Sequence, residues 1–226
     1  IQYHYTNQTQ ELMNILADLH QPQVLEVGCG CGTESIWMAL QGATVTGIDI
    51  QTDRLEVAKK RQKIVEQSLQ RELSCSFEKR SIFELDSEQK YDVIWMEQAF
   101  HHIEPRQLAI DKLAALVKDG GFIVISESNA WNPLTQISFF KKRGFSTIKQ
   151  YSDDAGIIHQ YGDERILTAN KLATEFKKRK ISLKKVRYFR LFPNSKRTEK
   201  IQNLEKYIPQ WFVFLFTHYN YVGQKE

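Results

Sequence analysis

The most constraining feature of this sequence is the stretch from residue 24 to residue 35, which reads VLEVGCGCGTES. Val24, Leu25 and Val27 form a short apolar run that is typical of a strand buried on both faces. Three glycines follow directly, and apolar residues then recur from Ile36 with helical spacing. The pattern predicts a strand, a tight glycine turn and a helix. The free N–H groups and positive dipole end of that helix would point at any ligand held in the turn.

A second buried-strand pattern covers residues 44–50, and its C-terminal end carries Asp49. A carboxylate at that position can accept hydrogen bonds from both hydroxyls of a ribose. The glycine spacing is Gly-x-Gly-x-Gly, whereas the dinucleotide-binding fingerprint is Gly-x-Gly-x-x-Gly. The ordered set of an acidic residue, three glycines and a downstream aspartate resembles the S-adenosylmethionine (SAM) site of class I methyltransferases: Glu26, Gly28, Gly30, Gly32 and Asp49.

The resemblance implies SAM as the cofactor and S-adenosylhomocysteine (SAH) as its product. SAM carries a positive sulfonium and no phosphate, so a carboxylate such as Glu26 suits it better than it would suit a pyrophosphate. Ser81 stands where the family usually has an acidic residue that meets the adenine amino group, and Ile82 follows it. The predicted cofactor contacts are Glu26, Gly28, Cys29, Gly30, Gly32, Asp49, Ile50, Ser81, Ile82, Glu97 and Gln98.

Two further motifs narrow the resemblance. A buried-strand pattern at residues 91–96 is followed by Phe-His-His-Ile at residues 100–103, and a Lys-Asp-Gly-Gly turn at residues 118–121 leads into a fifth strand. Together they are similar to the ubiquinone-biosynthesis-type small-molecule methyltransferases, and the matches cover residues 24–127. His101 and His102 are the predicted catalytic residues, because an imidazole titrates near physiological pH and can act as a general base.

The family fold is α/β: a doubly wound, mostly parallel seven-stranded sheet whose last strand is antiparallel, with a substrate-covering insertion after strand five. One domain, residues 1–226, is predicted, with a cofactor half (1–127), a lid insertion (128–167) and a C-terminal part that completes the sheet (168–226). Local patterns predict an N-terminal helix from Glu11, an irregular segment over 144–165, strands at 182–192 and 211–222, and a helix around 199–207.

Acceptor contacts are expected from two places. In an open α/β sheet, ligands bind at the carboxyl ends of the strands, which is where residues 126–133 leave the fifth strand. A long connection without periodicity is typical of a functional lid. In the resembling family an N-terminal segment often folds over the cofactor, although frayed surface is the alternative. The predicted substrate-binding residues are Tyr3, Tyr5, Asn129, Trp131, His159 and Tyr161.

Composition limits the partners. Thirty-one Lys and Arg against 27 Asp and Glu give a mild net charge of +4, which does not by itself require nucleic acid or a membrane. No apolar stretch is long enough to span a bilayer, no secretory signal is visible, and three cysteines make no disulfide framework. We therefore expect a cytoplasmic protein with no metal and no membrane partner, as a monomer or homodimer.

Methyl transfer from a sulfonium is a direct displacement that depends on alignment and the exclusion of water. The sequence therefore predicts a SAM-dependent methyltransferase that acts on an oxygen or nitrogen of a small-molecule acceptor. A basic stretch at residues 171–200 leaves a tRNA methyltransferase as one alternative, although a solvated outer face explains the same charges. A SAM-binding regulatory subunit without turnover is the other.

Overall fold

The computed structural model describes residues 2–152, 156, 158–193, 195–198 and 200–226. The helices are α1 (Gln2–Ala17), α2 (Thr33–Leu40), α3 (Thr52–Leu69), α4 (Arg106–Leu116), α5 (Pro133–Arg143) and α6 (Ala169–Lys177). The strands are β1 (Gln23–Val27), β2 (Thr44–Asp49), β3 (Cys75–Lys79), β4 (Tyr91–Glu97), β5 (Val117–Ser128), β6 (Ile148–Ser152), β7 (Ile158–Gly162), β8 (Ile181–Phe189) and β9 (His218–Lys225). Short 3-10 helices cover Ile82–Glu84, Phe100–His102, Gln202–Tyr207 and Val213–Leu215.

The main sheet has seven strands in the order β3-β2-β1-β4-β5-β9-β8. The first five pair in parallel, whereas β9 runs antiparallel to both β5 and β8. The predicted fold class is thereby confirmed, with the last strand as the antiparallel one. The strand order reverses between β1 and β4, so a ligand crevice is expected outside the carboxyl ends of these two strands.

Both faces of the sheet are buried, which explains why its central strands show no polar alternation. On β4, Val93 and Trp95 pack toward α1, α2 and α3, while Ile94 and Met96 pack toward α4 and α6. Each of the four is fully buried. Successive side chains of a strand point to opposite faces, so two apolar layers require a continuous apolar run.

The N-terminal prediction was too short, because α1 begins near the start of the chain. Asn7 and Thr9 donate side-chain hydrogen bonds to the carbonyls of Tyr3 and Tyr5, four residues earlier. Asn220 of β9 donates to the Asn7 carbonyl over 2.9 Å. The first turns are therefore held by polar contacts, which leave no apolar periodicity in the sequence.

Three predictions in the second half were wrong in detail. Residues 148–162 contain the β6–β7 hairpin, and every residue of β6 is exposed, so no core-facing alternation marks it. Residues 211–217 are not a strand: Trp211 is 70% exposed, and β9 starts only at His218. The predicted helix around 199–207 is a 3-10 helix over Gln202–Tyr207, and Glu199 lies outside the described residues. No described helix has the length and apolar character needed to cross a membrane.

Candidate functional site

The glycine turn after β1 has two kinds of glycine. Gly28, Gly30 and Gly32 all adopt positive φ, at 77°, 50° and 70°. A Cβ atom on Gly28 would lie 2.6 Å from that of Ala99, and one on Gly32 would lie 2.5 Å from the ring of Phe77. A Cβ on Gly30 would meet nothing closer than 3.9 Å. Packing therefore requires two of the glycines, whereas the third keeps the backbone open to a ligand.

Asp49 lies at the end of β2 with its carboxylate fixed. Its Oδ2 accepts a hydrogen bond from the Gly30 N–H and its Oδ1 accepts one from the Gln51 N–H, each over 2.9 Å. Ile50 follows with 56% of its surface exposed. This geometry joins the glycine turn to the predicted ribose-binding carboxylate and leaves an apolar surface beside it.

The adenine end of the predicted site is less polar. The Ser81 hydroxyl caps the 3-10 helix Ile82–Glu84 and accepts from the Phe83 N–H over 3.4 Å. The Ile82 side chain is buried in the core. Ser81 therefore retains its hydroxyl proton as a donor, and Ile82 can offer a ligand its backbone rather than its side chain.

Three carboxyl groups and a phenol meet beside the glycine turn. Glu26 is buried and accepts a hydrogen bond from Ser35, while the Tyr5 hydroxyl of α1 hydrogen-bonds Glu34 in the first turn of α2. Burial and then the charge of Glu34 hold the pKa of Glu26 well above its usual range. Burial, Glu34 and Glu127 raise the pKa of Glu97 to about 7. Such a cluster favours a cation, because a positive charge relieves the repulsion between the carboxylates.

The sequence patterns did not single out Glu34, although it lies two residues after the last glycine of the turn. The pattern that could have indicated it is an acidic residue in the first turn of a helix, where a carboxylate interacts favourably with the helix dipole. Tyr5, predicted only as a lid residue, is the group that brings α1 to this cluster.

His101 forms a buried pair with Glu127, a residue of β5 that sequence reasoning did not single out. The His101 Nδ1 lies 2.7 Å from Glu127 Oε2, and the His101 N–H donates to Oε1 over 3.2 Å. The other ring nitrogen, Nε2, lies 3.6 Å from Glu164 Oε2. Burial opposes a charged imidazole, but the two carboxylates outweigh it and the pKa of His101 is raised. This is the arrangement of an oriented general base.

His102 has a different environment. Its side chain is exposed at the surface, and its Nδ1 lies 2.8 Å from the Gly162 carbonyl at the end of β7. Ile103 forms a backbone bridge with Tyr161. A Cβ on Gly162 would overlap the carbonyl oxygen of His101. The structure therefore brings His102 and Tyr161 together as the place where the hairpin docks on the His-His segment.

A buried ion network fixes the same junction. Glu104 accepts from the guanidinium groups of Arg106 and Arg165. Arg106 also donates to the carbonyls of Arg165, over 2.7 Å, and of His101, over 3.3 Å. One guanidinium thus links the segment after β4 to the segment after β7.

The remaining predicted residues fall at different depths. Cys29 is buried, and its N–H donates to the Ile48 carbonyl over 3.0 Å. Gln98 accepts from the Ser128 hydroxyl over 2.9 Å at the end of β4, and its backbone is left-handed, with φ 47°. Tyr3 is half-buried on α1. Trp131 is 52% exposed, and the ring of His159 stacks on Tyr151 with centroids 5.2 Å apart.

Asn129 does not face an open site, which corrects its predicted role. It is fully buried, and its amide donates to the carbonyls of Val213, over 2.8 Å, and Phe216, over 2.9 Å. Its Oδ1 accepts from the Trp131 N–H. All of its amide groups hold the loop after β5 against residues 213–216, so it stabilises the fold.

Part of the basic stretch is paired with carboxylates within the fold. Arg179 binds Asp111 and Glu175, and Lys185 and Arg187 lie beside Glu11. Among the described residues no group of three or more His, Cys, Asp and Glu side chains could hold a metal ion.

A family profile described as "Methyltransferase domain" matches residues 25–123. The ubiquinone biosynthesis O-methyltransferase of Actinobacillus pleuropneumoniae is 36% identical over 118 residues, which cover 47% of this chain and 46% of that protein. The protein of the same name from Nitrosomonas europaea is 34% identical over 117 residues, covering 51% and 47%. The matches thus span about half the length of these relatives.

Solved structures extend the likeness to the whole fold. A SAM-dependent methyltransferase from Methanosarcina mazei aligns with a TM-score of 0.66 at 17% identity, covering 95% of this chain and 96% of its own. Magnesium protoporphyrin IX methyltransferase from Synechocystis, with bound SAH, gives a TM-score of 0.64 at 17% identity and covers 99% and 84%. The family profile thus matches residues 25–123, and the strand order and the solved structures show that the chain has the Rossmann-like fold seen in SAM-dependent methyltransferases.

Proposed function

We propose that the chain transfers a methyl group from SAM to a hydroxyl oxygen of a small-molecule acceptor. One observation carries the proposal: the buried His101–Glu127 pair stands at the same sheet edge as the glycine turn, Asp49 and the acidic cluster. The O-methyltransferase names of the relatives support oxygen as the methylated atom.

The residues present fit the cofactor. Gly30 leaves open backbone beside it, and the partly exposed Asp49 carboxylate can accept the ribose hydroxyls. Ile50 offers an apolar surface to the adenine, beside Ser81 and Ile82. The cluster of Glu26, Glu34 and Glu97, together with Gln98, suits the ammonium of the methionyl part and would also favour a positive sulfonium. Bound SAM would supply a methyl group on a leaving group that is already activated.

The remaining chemistry belongs to the chain itself. His101 Nε2 removes the proton from the acceptor hydroxyl as the oxygen attacks the methyl carbon. Glu127 keeps the other ring nitrogen protonated and stabilises the imidazolium that forms. The docked hairpin, through His102 and Tyr161, covers this edge and limits the access of water.

Calorimetry with SAH tests the cofactor site, and release of SAH from SAM with catechol and phenol acceptors tests turnover. We expect SAH to bind to the wild-type protein, and G30A to weaken binding at least tenfold, because the added methyl group would occupy the space beside the open backbone.

If SAH and SAM produce no heat while a nicotinamide dinucleotide binds, the proposal is wrong. SAH release that requires tRNA instead would favour the nucleic-acid alternative. SAH binding without any acceptor would favour the regulatory one.

A further inference from the structure

Arg190 follows β8 in an unusual and well-supported backbone conformation. Its φ is 65°, a left-handed value that non-glycine residues rarely adopt. The N–H groups of Arg190 and Leu191 each donate to the Glu205 carboxylate over 2.8 Å. Thr217 donates to the Arg190 carbonyl through its hydroxyl, over 2.7 Å, and its N–H, over 3.1 Å. These four hydrogen bonds offset the strain of the backbone and fix the position from which the Arg190 side chain extends.

The Arg190 side chain contacts an imidazole rather than a carboxylate. Its Nη1 lies 3.3 Å from the His218 Nε2, and it makes no ion pair with the described residues. His4 is 5% exposed, and its ring has no side-chain hydrogen-bond partner in the described part of the chain. Burial and Arg190 lower the pKa of His4, and they lower that of His218 to about 3. The charge of Arg190 lowers the pKa of Glu97, but no carboxylate of the described residues lies close enough to form an ion pair with the guanidinium itself.

This group of residues, which we call the Arg190 cluster, adjoins the proposed reaction site. His218 pairs with Ser128 of β5 on one side and with Phe189 of β8 on the other. Ser128 in turn donates to Gln98 at the end of β4. Neighbouring strands lie about 4.8 Å apart, so β9 and the carboxyl end of β4 are separated by roughly 10 Å.

We propose that Arg190, His218 and His4 bind a carboxylate group of the methyl acceptor. The inference rests on the proposed function and specifies the class of its acceptor: a molecule with its hydroxyl at His101 and an acidic group about 10 Å away. The planar guanidinium matches a carboxylate, His218 holds the guanidinium in place through its Nε2, and the His4 imidazole can become a donor by taking up a proton. A dianionic phosphate is less favoured, because the nearby Glu97 and Glu127 carboxyl groups would repel it more strongly.

The test uses trans-3,4-dihydroxycinnamate as the probe, titrated into wild-type protein saturated with SAH, because its rigid side chain places the carboxylate farther from the hydroxyls than a benzoate would. We expect the acid to bind at least tenfold more tightly than trans-3,4-dihydroxycinnamamide, and inorganic phosphate to bind more weakly than the acid. R190Q should abolish the preference for the acid while SAH affinity stays the same. R197Q, which removes an exposed neighbouring cation, is the matched control and should keep the preference. NMR should show the His4 imidazole taking up a proton when the acid binds.

Three results would overturn the inference: equal affinity for acid and amide, which includes no binding of either; tighter binding of phosphate; or a preference that survives in R190Q. H4F is a second variant, and its preference for the acid should fall if R190Q does not fold. A failure of SAH to bind the wild-type protein would instead contradict the proposed function, so the two failures are distinguishable.

Discussion

The cofactor half of this protein (residues 1–127) and the inserted segment over residues 128–167, here called the acceptor half because it is proposed to cover the acceptor, are held in place by different forces. Strands β1 and β4 are buried on both faces, and glycines are required by close packing. In contrast, α5 has no buried residue and β6 is exposed throughout. Burial of apolar area stabilises the first half, and little such area is available to the second.

Polar contacts take its place. His102 binds the Gly162 carbonyl, Glu104 and Arg106 bind Arg165, and Asn129 and Asn132 bind carbonyls of residues 213–216. Such contacts fix a segment without requiring a large core. The acceptor half can therefore vary in shape without loss of the cofactor site, which agrees with a family profile that ends at residue 123.

The largest effect is expected where the halves meet, at the base. E127Q keeps the shape of the side chain but removes the charge that orients His101, so kcat should fall by about 10²- to 10⁴-fold. The His101 pKa, followed by NMR, should fall below its raised wild-type value, while SAH affinity is unchanged. E175Q, on α6 and distant from the base, is the control. An unchanged pKa and rate in E127Q would show that the pair is only structural.

A substitution in the cofactor half should act on stability. In G32A the left-handed backbone costs about 1–2 kcal/mol and the contact with Phe77 about 1–3 kcal/mol. The free energy of unfolding should therefore fall by about 2–5 kcal/mol in urea titrations. G30A has the same strain and no contact, so it should lose only about 1–2 kcal/mol. Equal losses in both variants would contradict the packing argument.

For the acceptor half, weakening the polar contacts of Glu104 should free the β6–β7 hairpin and leave the main sheet unchanged. E104Q weakens charge-assisted hydrogen bonds to Arg106 and Arg165, each worth about 2 kcal/mol. We expect faster hydrogen exchange at the β6 and β7 amides, with β1 and β4 protected as in the wild type. Uniformly faster exchange would indicate that the two halves unfold together.

The smallest effect is a pH dependence of SAM binding. As pH falls through about 7, the Glu97 carboxyl takes up a proton, so SAM affinity should fall by no more than about tenfold per pH unit. Stability of the unliganded protein should change in the opposite direction. The folded pKa lies above the ordinary 4.5, so stability falls as pH rises between these values. E97Q should flatten both curves in calorimetry and thermal unfolding, and an unaltered curve would contradict the assignment.

The strands and the glycine turn of the cofactor half could be predicted from the sequence, because each local pattern there has a single physical cause. Continuous apolar runs marked doubly buried strands, and the glycine triplet marked the positive-φ turn. Pairing Glu127 with His101 depends on the register of β4 and β5, which no local pattern reports. The hairpin escaped for a related reason, since a strand exposed on both faces shows no periodicity. The strand predicted from residue 211 is wrong because Trp211 and Phe214 are exposed, although aromatic residues in a row are typical of a buried strand.

The Arg106 guanidinium donates to the His101 carbonyl and to the Arg165 carbonyl, which follows the hairpin. This double contact has a mechanical consequence. The hairpin cannot swing outward without pulling on the backbone of His101. The docked hairpin and the oriented His101–Glu127 pair therefore depend on each other, and a change that displaces the first should also disturb the second.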